Sequence, residues 1–344
     1  ENLNKSAHLF PVKDALLYVQ SDPLGLEGTG FQGANLWTAP NPEFGAVFHL
    51  YIRDEFTSLK SIRQKREKEL EKDKKDVFYP SMEELRKEVK EENATLIWRI
   101  KDAKGIEVRR LISQPKKGLN KITWDLRGES TEPFQPKSKR NTASGFLLPA
   151  GNYSVEVMLM KHGKVEPFSE KTPFQVNALN NQTLVAQNNE EVAKFRAEVA
   201  ELKRKITGSS RLLTEAKEKI GLLKYALTTY PNTDLSLLEE IHNLEEENSN
   251  CSLQLWGDKL KESKEFEIAP SLWNRIDLLE YMHYNTTTGV TGSQKVNSQI
   301  VFETYIVFRS TLNSHLERLA ALEKKMEMIP MPYTKSQDSN WKKD

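Results

Sequence analysis

The sequence predicts an α+β multidomain fold: a small antiparallel β-sandwich with a helical insertion, followed by an all-α helical bundle. Three observations carry this reading. Apolar residues recur at period two through much of the stretch from about residue 46 to 178, the pattern of half-buried strands. After about residue 187 the period becomes 3.6 and stays there, the pattern of amphipathic helices. Between the first strands lies a tract, Lys60 to Glu92, in which nearly every second residue is charged and the signs are mixed.

Taken in order, residues 1–45 carry Pro and Gly at turn-like spacing around short apolar pieces such as Ala15 to Val19, and read as a linker or as terminal strands that need a neighbour to pack on. Ala46, Phe48, Leu50 and Ile52 alternate as one strand face. The charged tract, at about 58–92, reads as a helical hairpin broken at Tyr79-Pro80-Ser81, because mixed signs at helical spacing form i,i+4 pairs; Ser81 with Glu84 fits a capping box. Strands follow at Thr95 to Ile100, Glu107 to Ile112, Asn120 to Leu126 and Gly151 to Met160. The polar stretch from Gly128 to Ser144, with Lys137-Ser138-Lys139-Arg140, reads as a solvated loop.

In the helical region, which spans 187–329, Val192 to Ile206 and Leu213 to Leu227 form two apolar stripes separated by Gly208, predicting two antiparallel helices. A third stripe runs from Leu237 through Asn248 and Cys251 to Leu255, a fourth from Leu272 to Leu279 after Pro270, and a last long one from Val301 to Met326. Residues 330–344 read as a flexible tail.

Composition limits the function. Lys+Arg 50 against Asp+Glu 49 gives a formal charge of +1, so no bulk basic field exists for nucleic acid. Apolar runs fall short of the roughly 18 residues a membrane-spanning helix needs, so no transmembrane segment is expected. The single Cys251 forms no intramolecular bridge and sits on an apolar stripe, where a small buried thiol is expected. Gly25, Gly28 and Gly30 lack the strand and helix of a phosphate loop, and no cofactor is expected. Of the six Asn-x-Ser/Thr matches (Asn4, Asn93, Asn152, Asn181, Asn250, Asn285), chance in an Asn-rich chain accounts for most. Catalytic residues remain unassigned. The only metal-type pattern is a repeated Glu-x-x-His, Glu239 with His242 and Glu280 with His283, which would need two further helices each to add a glutamate, supplied from Glu201, Glu215 and Glu303, to complete a two-metal site. Glu239 and His242 fall off their stripe, which argues for solvated or capping roles.

Several local motifs resemble one family. Asn41-Pro42-x-Phe44-Gly45-Ala46-Val47-Phe48 resembles the junction that follows the β-propeller in large bacterial secreted proteins of the BNR/Asp-box, sortilin (VPS10)-like "glycosyl hydrolase" family. Val108-Arg109-Arg110-Leu111, Trp124-Asp125-Leu126-Arg127 and Pro149-Ala150-Gly151-x-Tyr153-x-Val155 resemble the FlgD-type immunoglobulin-like domain of those proteins. The resemblance implies that Trp124 fills a core, that Asp125 and Arg127 pin a loop, and that residues 46–178 form the sandwich. No Ser-x-Asp-x-Gly-x-Thr-Trp repeat occurs here, so the family's propeller, and any hydrolase chemistry, would lie outside this chain. The expected function is a non-catalytic accessory or interaction region, secreted or periplasmic and outer-membrane associated. Its partners would be the missing N-terminal propeller and a cell-envelope protein or glycan. The alternatives are a part of a glycoside hydrolase, or a stand-alone envelope interaction protein.

Overall fold

A computed structural model describes residues 5–20, 39, 41–134, 144–179, 184–231 and 233–327. The expected Gly25 to Gly30 turn, the Lys137 to Arg140 loop, the tail, Asn4 and Asn181 lie outside the described residues. The chain is mixed α and β, and it divides into two units: Glu1–Glu129 with Ser144–Val185, and Ser130–Ala143 with Ala186–Asp344.

The first unit holds two sheets. Strands β1 (Ala7–Leu9), β3 (Ala46–Ile52) and β6 (Gly118–Trp124) make one, in the order β1-β3-β6. Strands β2 (Ala15–Leu17), β4 (Thr95–Asp102), β5 (Glu107–Ser113), β7 (Gly151–Lys161), β8 (Lys164–Pro167) and β9 (Thr172–Ala178) make the other, in the order β2-β9-β7-β4-β5 with β8 beside β7. Both contribute to one hydrophobic core, because the side chains of Ala46, Phe48, Leu50 and Ile52 and those of Leu96, Trp98 and Ile100 all point inward and are fully buried. Two expectations are corrected. The second sheet is mixed rather than antiparallel, because β2 pairs parallel to β9. Residues 7–9 and 15–17 are strands of these sheets, with Ala7, Leu9, Ala15 and Leu17 in the shared core, so the unit does not begin at 46.

The Trp124 to Arg127 segment is tied as a knot of polar contacts. Asp125 accepts from the Arg127 amide at 3.3 Å and from the Ser144 hydroxyl, and Arg127 donates to the Gly145 carbonyl at 3.2 Å. Arg109 adds a 2.9 Å bond to the Gly128 carbonyl. These contacts hold Leu126 buried at φ +57°, a conformation rare for a branched side chain. The start of β3 depends on a glycine. Gly45 has φ +113°, and a Cβ there would stand 1.9 Å from the Trp124 carbonyl oxygen. Gly45→Ala is therefore expected to cost about 2 kcal/mol, read as a lowered melting temperature; an unchanged value would contradict the strand junction described.

Helices α1 (Leu59–Lys72) and α2 (Met82–Lys90) form the expected hairpin between β3 and β4. The second unit contains α3 (Asn189–Thr229), α4 (Leu237–Trp256), α5 (Lys259–Ser263), α6 (Leu272–Tyr284) and α7 (Gly292–Glu327). The two helices expected on either side of Gly208 are one helix, α3. A single glycine inside a helix costs only about 1 kcal/mol, and continuous burial from Val192 to Leu227 outweighs it. Helices α4, α6 and α7 pack on α3, and its second half shares a core with Ile241 and Leu244 of α4 and Leu319, Leu322 and Met326 of α7. Asn248 and Cys251 are buried on the α4 stripe.

Candidate functional site

The four residues singled out for a metal go to separate tasks. Glu239 is exposed on α4, and His242 beside it is exposed, with Nε2 3.6 Å from Glu246 one turn away. On α6, Glu280 forms a 3.1 Å ion pair with Lys203 and accepts from the Thr131 hydroxyl. His283 is fully buried, its ring centroid 5.1 Å from that of Phe195. Burial, reinforced by the nearby Arg196 cation and partly opposed by Gln294, lowers the His283 pKa to about 4. The further glutamates are not brought in either: Glu201 pairs with Arg204 at 3.1 Å, Glu215 is exposed, and Glu303 accepts from Gln299 at 2.7 Å. Among the described residues no group of three His, Cys, Asp or Glu side chains is placed to hold a metal.

A buried charge cluster centres on a residue that sequence reasoning passed over. Lys203 follows Val199 by four residues on α3 and so falls on the core stripe, where its side chain is 3% exposed. Its ammonium lies between Asp277 and Glu280 of α6 and 4.5 Å from the Trp273 ring centroid. Burial alone would lower its pKa; the two carboxylates outweigh that and hold it above the usual lysine value. Residues 130–134 close over the same helices. Arg204 donates to the Ser130 carbonyl at 3.0 Å, and Arg211 to those of Pro133 and Phe134 at 3.2 Å. The expectation of a solvated loop is corrected for these five residues: α3 supplies three backbone-capping bonds and α6 accepts a fourth from Thr131.

Between α4 and α7 runs a cleft of about 600 Å³ with Cys251 and His315 among its lining residues. His315 is buried, with Nδ1 3.2 Å from one Glu247 oxygen, while Arg318 pairs with the other. Burial raises the Cys251 thiol and lowers the His315 imidazole, so both are neutral near pH 7. Neutral Cys251 is an inert core thiol rather than an activated nucleophile.

The hairpin of the first unit has the opposite character. Neither α1 nor α2 contains a buried residue. Charged contacts fasten it instead: Arg63 grips Glu88 through two bonds of 2.6 and 3.0 Å and Glu67 through one of 2.7 Å, and Glu91 accepts from the Leu59 amide at 2.7 Å. Ser81 and Glu84 complete the expected capping box, with bonds of 2.9 and 3.2 Å. At its turn, Phe78 and Tyr79 are each 82% exposed, next to exposed Val77 and Met82. A polar arm thus holds out an apolar tip. The chain matches no protein-family model and no curated protein sequence.

Proposed function

We propose that this chain is a non-catalytic accessory region of a secreted or envelope-associated bacterial protein, made of an immunoglobulin-like sandwich that carries a helical arm and is followed by an α-helical bundle. It supports a β-propeller of the Asp-box, sortilin-like kind and presents surfaces to a protein or glycan partner. The observation that carries the reading is the apolar tip of the charged hairpin. An arm with no buried residue gains nothing from folding its aromatics outward unless another surface covers them. The immunoglobulin-like part is supported by two sheets sharing one core and by Tyr153, whose hydroxyl donates at 2.7 Å to the Pro149 carbonyl four residues back, like a tyrosine corner.

The test uses the exposed tip. With a photo-crosslinking amino acid in place of Phe78, cells making the protein should yield one adduct, lost when Tyr79→Ser and Met82→Ser are added. Both changes lie on exposed side chains and leave the fold intact. An adduct that persists, or turnover of a glycoside panel that one carboxylate substitution abolishes, would overturn the reading.

A further inference from the structure

We propose that the outer face of α6 and the first half of α7 is a self-association surface, on which a second copy of this chain docks about a twofold axis. This inference does not depend on a propeller or on the hairpin tip. Hydrogen bonds fix how the two helices lie: Arg275 donates to the Asn297 side chain at 3.0 Å, Asn297 returns a 3.3 Å bond to the Arg275 carbonyl, and Gln294 reaches the Met282 sulfur at 3.9 Å. The antiparallel register places Leu278, Tyr281 and Met282 beside Val296 and Ile300, with Val307 further along α7. All six are exposed, Tyr281 at 81%, Val307 at 66% and Val296 at 61%.

Charge is thinned out over the same stretch. From Leu278 to Val307 the charged residues are Glu280, Lys295 and Glu303, three in thirty positions, in a chain that is 29% charged. Two of the three are occupied within the unit, Glu280 by Lys203 and Lys295 by Glu191. Depletion of charge together with enrichment in aromatic residues and Met marks the middle of an interface rather than an ordinary wet face.

Area and symmetry select a second copy as the occupant. The six side chains expose on the order of 600 Å² of mostly apolar surface, at the top of what a monomer's largest patch shows. A standard interface takes about 800 Å² from each partner, a little over half of it apolar. The patch therefore supplies the apolar share of what a standard dimer takes from each partner. At one end of it, in the stretch from Asn285 to Ser293, every residue other than Gly289, Val290 and Gly292 carries an amide or a hydroxyl. Each both donates and accepts, so each can pair with its own copy across a twofold axis, which charges of one sign cannot do. A formal charge of +1 adds no repulsion between copies.

Sedimentation velocity of the full chain at increasing concentration should show a monomer–dimer equilibrium. Tyr281→Lys with Val307→Lys should raise the dissociation constant on the order of 100-fold, because each lysine would be desolvated unpaired. Phe78→Lys at the hairpin tip should leave it unchanged, which separates this inference from the proposed function. A parent chain that stays monomeric at about 100 µM, well above the Kd of standard-size interfaces, would overturn the inference. So would a dimer that the double variant leaves intact. If far-UV circular dichroism shows the double variant unfolded, amide exchange of the parent chain at two concentrations decides. Concentration-dependent protection within 278–307 is expected, and protection confined elsewhere, or none, overturns the inference.

Discussion

Trp124→Ala is expected to destabilise the first unit by about 3–5 kcal/mol, the usual cost of removing a large aromatic from a packed core. Trp124 ends β6 with no exposed surface, its ring centroid 5.2 Å from that of Tyr153 and 6.1 Å from that of Phe174. Those rings come from β7 and β9 in the opposite sheet, so the substitution opens a cavity where the two sheets meet. A second loss adds to it. The indole N–H donates at 2.9 Å to the Arg127 carbonyl, which helps close the loop around Asp125. Trp124→Phe separates the terms: it keeps most of the packing but leaves that carbonyl without the indole donor, at a cost of about 1–2 kcal/mol. Urea unfolding followed by circular dichroism would measure both. A melting temperature unchanged in Trp124→Ala would rule out its place in the core.

Much of the first unit's local structure is legible in the sequence, and the reasons are local. The alternation Ala46, Phe48, Leu50, Ile52 is a one-dimensional statement about a strand face, and a seven-residue strand obeys it wherever its partners lie. The Ser81-Glu84 capping box closes within one helical turn, so residue type and spacing suffice. What escaped is what the chain brings together across long separations. Strands of three residues, such as β1 and β2, carry too little pattern to reveal partners as distant as β3 and β9. Lys203 looks like any helical lysine until Asp277, Glu280 and Trp273 arrive from α6. Gly208 invited a break because composition shows the cost of a glycine but not the packing that offsets it. The roles of Glu280 and His283 are hidden for a related reason: spacing puts them on neighbouring positions of one helix, but buried Lys203 and Phe195 on α3 decide what each does.

His283 also makes the second unit sensitive to acid. Its folded pKa of about 4 lies below the ordinary histidine value of 6.5, so the unfolded chain takes up the proton first. Stability from this group is therefore complete above about pH 6.5, falls as the pH drops toward 4, and levels off below that. A difference of this size corresponds to about 3 kcal/mol. The physical cause is that an imidazolium here would be buried against Phe195 with the Arg196 cation nearby, and the guanidinium is itself held by a 2.7 Å bond to the Thr286 carbonyl. Carboxylates held low by their partners, among them Glu88 beside Arg63 and Glu201 beside Arg204, give up their stabilisation only below their ordinary value of 4.5. The interval from pH 6.5 to 5 thus isolates the histidines. His315, whose pKa burial also lowers, contributes in the same interval. Urea titrations at pH 7, 6 and 5 should show a falling unfolding free energy in the parent chain and a distinctly shallower fall in His283→Leu, which keeps an apolar side chain against Phe195. Equal slopes in the two proteins would mean that His283 is charged in the fold, and the packing described around it would have to be abandoned.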